Sequence, residues 1–223
     1  MKKVWTILPV VAAFAAAPAF AQDAGFSARA ELRAGYDELR AEVEIDDSAS
    51  TDTTGESGLG YGAEVGVDFR VASSVLVGAY AGLDLSEIDD CRDVFGGDEA
   101  CIDAGRNITV GVRAGLPLGE GNLIYVKAGY SHAKIKASYA EDAEDLDSQL
   151  FSETDTVSGY HLGAGFELGL NQLGLSDGFY VKGEYVHTRY RDAFKSDLAD
   201  GESFKPTRHQ LLAGVGIRFG AAR

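Results

Sequence analysis

The sequence predicts an all-β fold, an eight-stranded antiparallel β-barrel that crosses a membrane. Three observations support this prediction. Stretches of about ten residues alternate apolar with polar or small side chains, which is the period of a strand with two different environments. The connections between these stretches alternate between short and long. After the N-terminal region, no apolar run is long enough for a spanning helix.

The first 21 residues have the features of a secretory signal peptide. Lys2 and Lys3 give a positive start, residues 4–17 are an apolar run, and residues 19–21 (AFA) form a small-x-small cleavage site. The run is too short for a membrane anchor. We therefore expect two regions, a signal peptide at 1–21 and a barrel at 22–223.

The first four predicted strands each show two distinct faces. Residues 26–36 read FSARAELRAGY, with Phe, Ala, Leu and Tyr on one face and Ser, Arg, Glu and Gly on the other. Residues 59–71 read LGYGAEVGVDFRV and again separate apolar positions from Gly, Glu, Asp and Arg. Residues 75–85 (VLVGAYAGLDL) and 108–116 (ITVGVRAGL) repeat the pattern. A period of two over this many residues predicts strands.

The last four predicted strands include two that are nearly the same sequence. Residues 123–134 read LIYVKAGYSHAK and residues 178–189 read GFYVKGEYVHTR, each with a lysine set into an apolar run. Residues 160–170 (YHLGAGFELGL) and 211–219 (LLAGVGIRF) complete the set. We interpret the repeat as two strands that cross the same membrane in the same direction.

The connections place the two ends of the barrel. Those at 72–74, 117–122 and 171–178 are short, whereas those at 37–58, 86–106, 137–156 and 191–206 are long. Short and long connections therefore lie at opposite ends. An even number of antiparallel strands with tight turns at one end and long polar loops at the other is typical of an outer-membrane barrel.

A soluble β-sandwich or lipocalin-like barrel also alternates apolar and polar residues and is also exported. Two observations favour the membrane. Glycines lie on the charged face, where an exposed surface has no need of them, and Tyr or Phe lies near the strand ends on the apolar face. Aromatic residues at both interfaces are typical of membrane barrels.

A membrane barrel turns its charged face inward, and an eight-stranded barrel is only just wide enough for its own side chains. The predicted lumenal ion-pair network has seven cations and six carboxylates: Arg29, Glu31, Arg33, Glu64, Asp68, Arg70, Asp84, Arg113, Lys127, Glu167, Lys182, Glu184 and Arg218. The near balance of charge predicts a filled lumen. We expect Lys127 and Lys182 to pair with carboxylates such as Glu167 and Glu184, and His161 to pair with a lumenal carboxylate. A continuous channel is the alternative.

The four long loops carry 26 acidic and six basic residues, a net charge of -20. The whole chain has a charge of -15, which excludes a nucleic-acid binder because that function needs cations for the phosphates. The acidic loops are either a solvated, repelling surface or a site for divalent cations that bridge to lipopolysaccharide phosphates.

Cys91 and Cys101 are the two cysteines, and export to an oxidising compartment predicts a disulfide between them. The alternative is a redox or metal-binding thiol pair, but the C-x-x-C spacing is missing. No set of residues meets the requirement of a nucleophile with a base in reach. The sequence therefore predicts no catalytic residue, no metal site and no cofactor.

The segments YVKAGYSHA, YVKGEYVHTRY and HQLLAGVGIRF resemble strands of the small outer-membrane β-barrel family that includes the OmpA transmembrane domain and the opacity-type surface proteins of proteobacteria. The last segment is similar to the terminal assembly signal of that family. The resemblance covers essentially residues 22–223. It implies localisation in the outer membrane of a Gram-negative bacterium and insertion by the barrel-assembly machinery.

The resemblance further implies a monomeric, non-enzymatic structural or surface protein that contacts outer-membrane lipids and lipopolysaccharide, with adhesion as a role of some members. A narrow ion or small-solute channel is the second hypothesis. A lipid-modifying barrel enzyme is the third, and it lacks a recognisable triad at the rim.

Overall fold

Nearly every described residue of the chain lies in a β-strand. The computed structural model describes residues 25–44, 52–95, 98–119, 121–140, 149–171, 174, 178–191 and 203–220. The strands are β1 (Phe26–Glu44), β2 (Asp52–Ala72), β3 (Val75–Ser86), β4 (Asp89–Phe95), β5 (Asp98–Pro117), β6 (Leu123–Ala140), β7 (Gln149–Gly169), β8 (Phe179–Tyr190) and β9 (Ser203–Gly220). Among these residues no helix is long and apolar enough to cross a membrane. The predicted signal peptide and the acidic run at 141–145 lie outside the described residues.

Eight of the strands form a closed barrel. Sequential strands pair in the order β3-β2-β1-β9-β8-β7-β6-β5, and the pairing of β3 with β5 closes the circle. All of these pairs are antiparallel. Closure leaves the barrel without an unpaired edge, so its backbone donors and acceptors are satisfied between strands, as a lipid environment requires. The predicted eight-stranded antiparallel barrel is confirmed.

The strands are staggered around the barrel. Following the register from Arg29 of β1 through all eight strands leads back to β1 at Leu39, ten residues further along (from 29 to 39). Such a stagger requires the strands to tilt against the barrel axis. Together with eight strands it sets a narrow interior, which side chains are able to fill.

The strands are longer than the alternating pattern predicts. β1 has 19 residues, whereas about 9–11 residues suffice to cross a membrane. Parts of the predicted long loops are therefore paired strand, and the second contains the additional hairpin of β4 with the start of β5. The apolar alternation marks only the segment in contact with lipid. Backbone pairing continues above it because a hairpin arm in water gains the same ladder of hydrogen bonds.

The outward face of the barrel is apolar. Leu32, Val112 and Leu162 are 62–65 % exposed although they lie in the middle of strands. Their inward neighbours are glycines or buried polar residues, among them Glu31, Arg33, Arg113 and His161, so the usual arrangement of a soluble protein is reversed. In water this surface would be an aggregation liability, and in a bilayer it contacts acyl chains.

Glycines make room for large polar side chains inside the barrel. A Cβ at Gly66 would lie 2.5 Å from Arg29 Nη2, and one at Gly165 would lie 2.6 Å from the Tyr125 hydroxyl oxygen. Real Cβ atoms do not approach other atoms this closely. These glycines on the charged face are therefore explained by large side chains of the neighbouring strand that lie directly against them, and not by turn formation.

Candidate functional site

The lumen is the most densely charged region of the described structure. Its side chains come from every second position of the eight barrel strands, and those of Arg29, Asp68 and Glu167 have an exposure of 0 %. Charges removed from water to this degree are very unfavourable unless each has a counter-charge and hydrogen bonds. The arrangement of partners therefore decides what the lumen is able to do.

The lower part of the lumen, near the short turns, is organised around Arg113 of β5. Its guanidinium contacts Asp68 through Nε at 2.8 Å and Nη2 at 2.6 Å, and it also pairs with Glu167. Arg218 pairs with the second oxygen of Glu167. Arg29 lies 3.4 Å from Asp68 and 3.1 Å from Glu64, so it connects this group to the layer above.

The middle of the lumen is organised around Arg33 of β1. This residue contacts three carboxylates, Glu64 at 2.7 Å, Asp84 at 2.8 Å and Glu184 at 3.1 Å. These three partners come from β2, β3 and β8, so a single side chain connects four strands including its own. The fork geometry of a guanidinium permits this number of directed contacts.

The two lysines of the repeated sequence occupy equivalent roles. Lys127 Nζ lies 2.7 Å from Glu64 and 3.2 Å from Glu184, and Lys182 Nζ lies 2.6 Å from Glu31 and 3.2 Å from Glu184. Glu184 thus pairs with the lysine of each copy of the repeat, as expected from the sequence. Glu167 is not a lysine partner, because Arg113 and Arg218 already occupy both of its oxygens.

Lumenal tyrosines complete the network, and the sequence analysis did not identify them. Tyr125 donates its hydroxyl to Glu184 and Tyr180 donates to Glu31, each at 2.6 Å. Lys127 also lies 4.2 Å from the centroid of the Tyr80 ring. All three tyrosines lie on the charged face of their strands, and the alternation of residues 75–85 already places Tyr80 there with Asp84. Tyr125 and Tyr180 were expected at the membrane interface instead.

The upper lumen contains a further ion pair, between two residues that were not predicted to face the lumen. Arg208 of β9 donates through Nε to Asp37 Oδ1 at 2.7 Å, and its Nη2 pairs with the other oxygen. Both side chains are at least 97 % buried. We had placed both residues at the boundary of predicted loops, because no apolar alternation marks the strand beyond the lipid.

The environment of His161 differs from the expectation. The imidazole contacts the Tyr80 hydroxyl through Nε2 and the Ser131 hydroxyl through Nδ1 at 2.7 Å, and neither partner is a carboxylate. The prediction of a carboxylate partner is wrong because the lumenal carboxylates are taken by arginines and lysines. Ser131 has an exposure of 0 %, so this Ser and His pair has no access to a substrate.

Two further predicted groups are an arginine near a short turn and the two cysteines. Arg70 donates through Nη1 to the Ser73 carbonyl at 3.0 Å. Cys91 and Cys101 are register partners in the hairpin of β4 and β5. Across the residues that the structure describes, no three His, Cys, Asp or Glu side chains form a metal-binding group.

Several buried polar atoms of the upper lumen have no protein partner. They include both amide atoms of Asn107, Thr109 Oγ1 and Gln210 Nε2. Buried polar groups are nearly always hydrogen-bonded, and ordered water commonly fills that role. The upper lumen is therefore polar and offers sites for water, and in the lower lumen Ser27 Oγ, Arg29 Nε and Arg218 Nε lack a hydrogen-bond partner among the described residues as well.

Comparison with known proteins identifies the family. The family model for the outer membrane protein beta-barrel domain matches residues 6–219. No curated protein matches the sequence. A major outer membrane protein from Thermus thermophilus is similar in structure with a TM-score of 0.50 and 14 % identity, covering 85 % of this chain and 99 % of that one.

Two further solved structures are similar to this chain at low identity. Ail, the attachment invasion locus protein of Yersinia pestis, is 15 % identical with a TM-score of 0.42, covering 86 % of this chain and 98 % of its own. Neisserial surface protein A is 12 % identical with a TM-score of 0.41, covering 87 % and 97 %. The family match places the protein in the outer membrane of a Gram-negative bacterium, and the chain belongs to the outer membrane β-barrel family.

Proposed function

We propose that the protein is a non-enzymatic surface barrel whose long acidic loops meet the environment of the cell, with adhesion as one role. The observation that supports this proposal is the filled lumen. Arg33, Lys127 and Lys182 connect carboxylates across the interior, and all three are at least 95 % buried. A lumen closed by its own side chains leaves the exposed end as the part that interacts with other molecules.

Conductance in planar lipid bilayers tests this proposal. We expect the refolded protein to show no sustained openings at moderate voltage, because a permeating ion would have to displace the paired charges around Arg33. The control is a preparation of the same protein left unfolded, which gives the background of detergent and lipid. Long, voltage-stable openings of uniform size from the folded protein would contradict the proposal.

A narrow channel for ions or small solutes is the second candidate. The polar atoms of Asn107, Thr109 and Gln210 that lack a protein partner favour it, because they supply sites for water in the upper lumen. The same bilayer measurement separates the two candidates. A lipid-modifying enzyme has less support, since the buried Ser131 and His161 face the sealed interior.

The proposal includes partners that the barrel requires. A closed barrel with no free edge supports a monomer, which contacts outer-membrane lipids and lipopolysaccharide directly. Its final strand, β9, pairs with the first, so closure requires the end of the chain. We assign that step to the barrel-assembly machinery. No nucleic acid, metal or cofactor is part of the proposal.

We further propose that Cys91 and Cys101 form a disulfide that fixes the hairpin of the second loop. Directly paired antiparallel residues have Cα atoms about 4.5–5.5 Å apart, which falls within the range of a disulfide. We expect reduction, or the double change Cys91→Ser and Cys101→Ser, to lower the free energy of unfolding by about 2–4 kcal/mol at most. Thiol labelling of the unreduced, unfolded protein measures the bond. Two labelled thiols per chain would contradict it.

A further inference from the structure

A cluster of cationic and hydrogen-bonding side chains lies on the outward face of the barrel rim, where β8, β9 and β1 meet. We define this rim patch as Arg40, His187, Arg189, Thr207 and His209. In register, His187 pairs with His209, Arg189 pairs with Thr207, and Thr207 pairs with Arg40. The rim patch is therefore two adjacent rows of side chains on three neighbouring strands.

The alternation of each strand points the rim patch away from the lumen. On β8, Val186, Thr188 and Tyr190 are at least 95 % buried, and His187 and Arg189 lie between them. On β9, Arg208 and Gln210 are buried on either side of His209. The rim patch thus faces the surroundings of the barrel, and its groups do not contribute to the ion pairs of the interior.

The height of the rim patch is set by the residues directly below it. Tyr185 and Leu211 are the next outward residues towards the short turns on β8 and β9, and Tyr36 is the register partner of Leu211 on β1; all three are 46–61 % exposed. Amphipathic aromatic rings lie at the level where acyl chains meet headgroups. One row higher, the rim patch lies at the level of the headgroups themselves.

The groups of the rim patch have unused hydrogen-bonding capacity. Within the described part of the chain the side chain of Arg189 makes no hydrogen bond and no ion pair. Nδ1 of His187 is buried against the protein and has no partner among these residues, so the other ring nitrogen, Nε2, is the one available to a ligand. The His187 and His209 ring centroids lie 4.6 Å apart, and the Tyr185 hydroxyl holds His209 through Nδ1 at 2.7 Å, so the second ring is fixed in place.

The local charge of the rim patch is positive although the chain as a whole is acidic. Glu38, the register partner of His209, is already bound by Arg40 at 2.8 Å and 3.1 Å. Among the described residues, no carboxylate forms an ion pair with Arg189. An anion is the ligand that guanidinium, hydroxyl and imidazole groups in this arrangement recognise, and guanidinium suits phosphate best.

We infer that the rim patch binds the phosphomonoester of a lipid in the outer leaflet. The orientation selects a lipid because the patch faces the bilayer, and the acidic segments further along the chain from the barrel strands, such as residues 141–147, repel anions that arrive from solution. A monoester, with two charges and three free oxygens, uses more of the available donors than a phosphodiester does. This inference deepens the lipopolysaccharide contact proposed above.

Native mass spectrometry of the folded protein in detergent tests the inference with three lipids: bisphosphorylated lipid A, the same lipid after phosphatase treatment, and phosphatidylglycerol. We expect the phosphorylated lipid A to bind about tenfold more tightly than either of the others, the effect of a charge-assisted contact. Equal affinity for the phosphatase-treated lipid would overturn the inference. Affinity for phosphatidylglycerol equal to that for lipid A would overturn the assignment to a monoester.

Substitutions locate the site on the barrel. Arg189→Gln should weaken the binding of phosphorylated lipid A about tenfold, and His187→Gln should weaken it in the same direction. The matched control is Arg106→Gln, which removes an exposed arginine of β5 and should leave binding within about twofold. An equal loss in the control would mean that the rim has no defined site.

The comparison of the three lipids uses the unaltered protein, so it stands even if a variant fails to fold. Heat-dependent migration on gels checks folding before each titration. The result is independent of the conductance test, because a closed lumen does not depend on the outward face. If the protein shows no conductance and binds the three lipids equally, only the lipid site is overturned. If it conducts ions and still prefers phosphorylated lipid A, only the surface-barrel proposal is overturned.

Discussion

Replacing Arg33 by Met is expected to lower the free energy of unfolding of the barrel by about 3–5 kcal/mol. Arg33 is 95 % buried and contacts Glu64, Asp84 and Glu184. Glu64 and Glu184 retain Lys127 as a counter-charge, whereas Asp84 has no other cation among the described ion pairs. The substitution therefore leaves a carboxylate buried and uncompensated in the middle of the barrel.

Guanidinium unfolding of the protein in lipid vesicles measures the effect of Arg33→Met. Circular dichroism and gel migration are suitable probes, because the single tryptophan, Trp5, lies in the predicted signal peptide. The matched control is Arg40→Met, which breaks the exposed pair with Glu38 and should cost at most about 1 kcal/mol. If both variants unfolded at the denaturant concentration of the wild type, the lumenal network would not be a source of stability.

Replacing Arg208 by Met is expected to cost a similar amount, about 3–5 kcal/mol. The reason is again that the substitution leaves a buried carboxylate without a counter-charge, since Asp37 is fully buried and Arg208 is its ion-pair partner. This variant distinguishes the buried ion pair of the structure from the position beside a solvated loop that the sequence predicts for Arg208. A residue at the edge of a solvated loop would be replaced with an effect within about 0.5 kcal/mol.

The double variant Arg208→Met with Asp37→Leu provides the control for this pair. Replacing both members of a buried ion pair by apolar residues of similar volume is often neutral or even stabilising. We therefore expect the second change to restore most of the midpoint lost in Arg208→Met. Additive losses in the double variant would show that the two side chains do not act as a pair, and the same vesicle unfolding assay measures this.

Much of the fold was predictable because a barrel in lipid imposes a strict rule on sequence. Each strand that crosses the bilayer must turn one face to acyl chains and the other to the lumen, so residues such as Leu32 and Arg33 alternate over the whole crossing. The number of strands, their antiparallel order and the two different ends followed from this rule. The identities of nearly all lumenal charges followed as well, since they occupy the second face.

The ends of the strands were not predictable in the same way. Above the lipid both faces of a strand meet water or protein, and the apolar alternation stops although backbone pairing continues through Glu44 and Ala140. Asp37 and Arg208 were missed for that reason. The same alternation, followed along the charged face of the strand beyond the last apolar residue, would have placed Asp37 and Arg208 in the lumen.

By itself, the sequence determined which residues face the lumen, because the direction of a side chain depends only on its place in the alternation. The tertiary structure decided which lumenal charges pair. The arrangement of the closed barrel brings Glu184 of β8 to Lys127 of β6 and gives Glu167 to Arg113 and Arg218, whereas Lys182 reaches Glu184 from two residues away on the same strand. The pairing of β8 with β9 sets His187 beside His209 on the outer rim. Which charges pair across a barrel depends on the register between strands and on the room between side chains in the lumen, and both are fixed only when all eight strands have closed into a barrel.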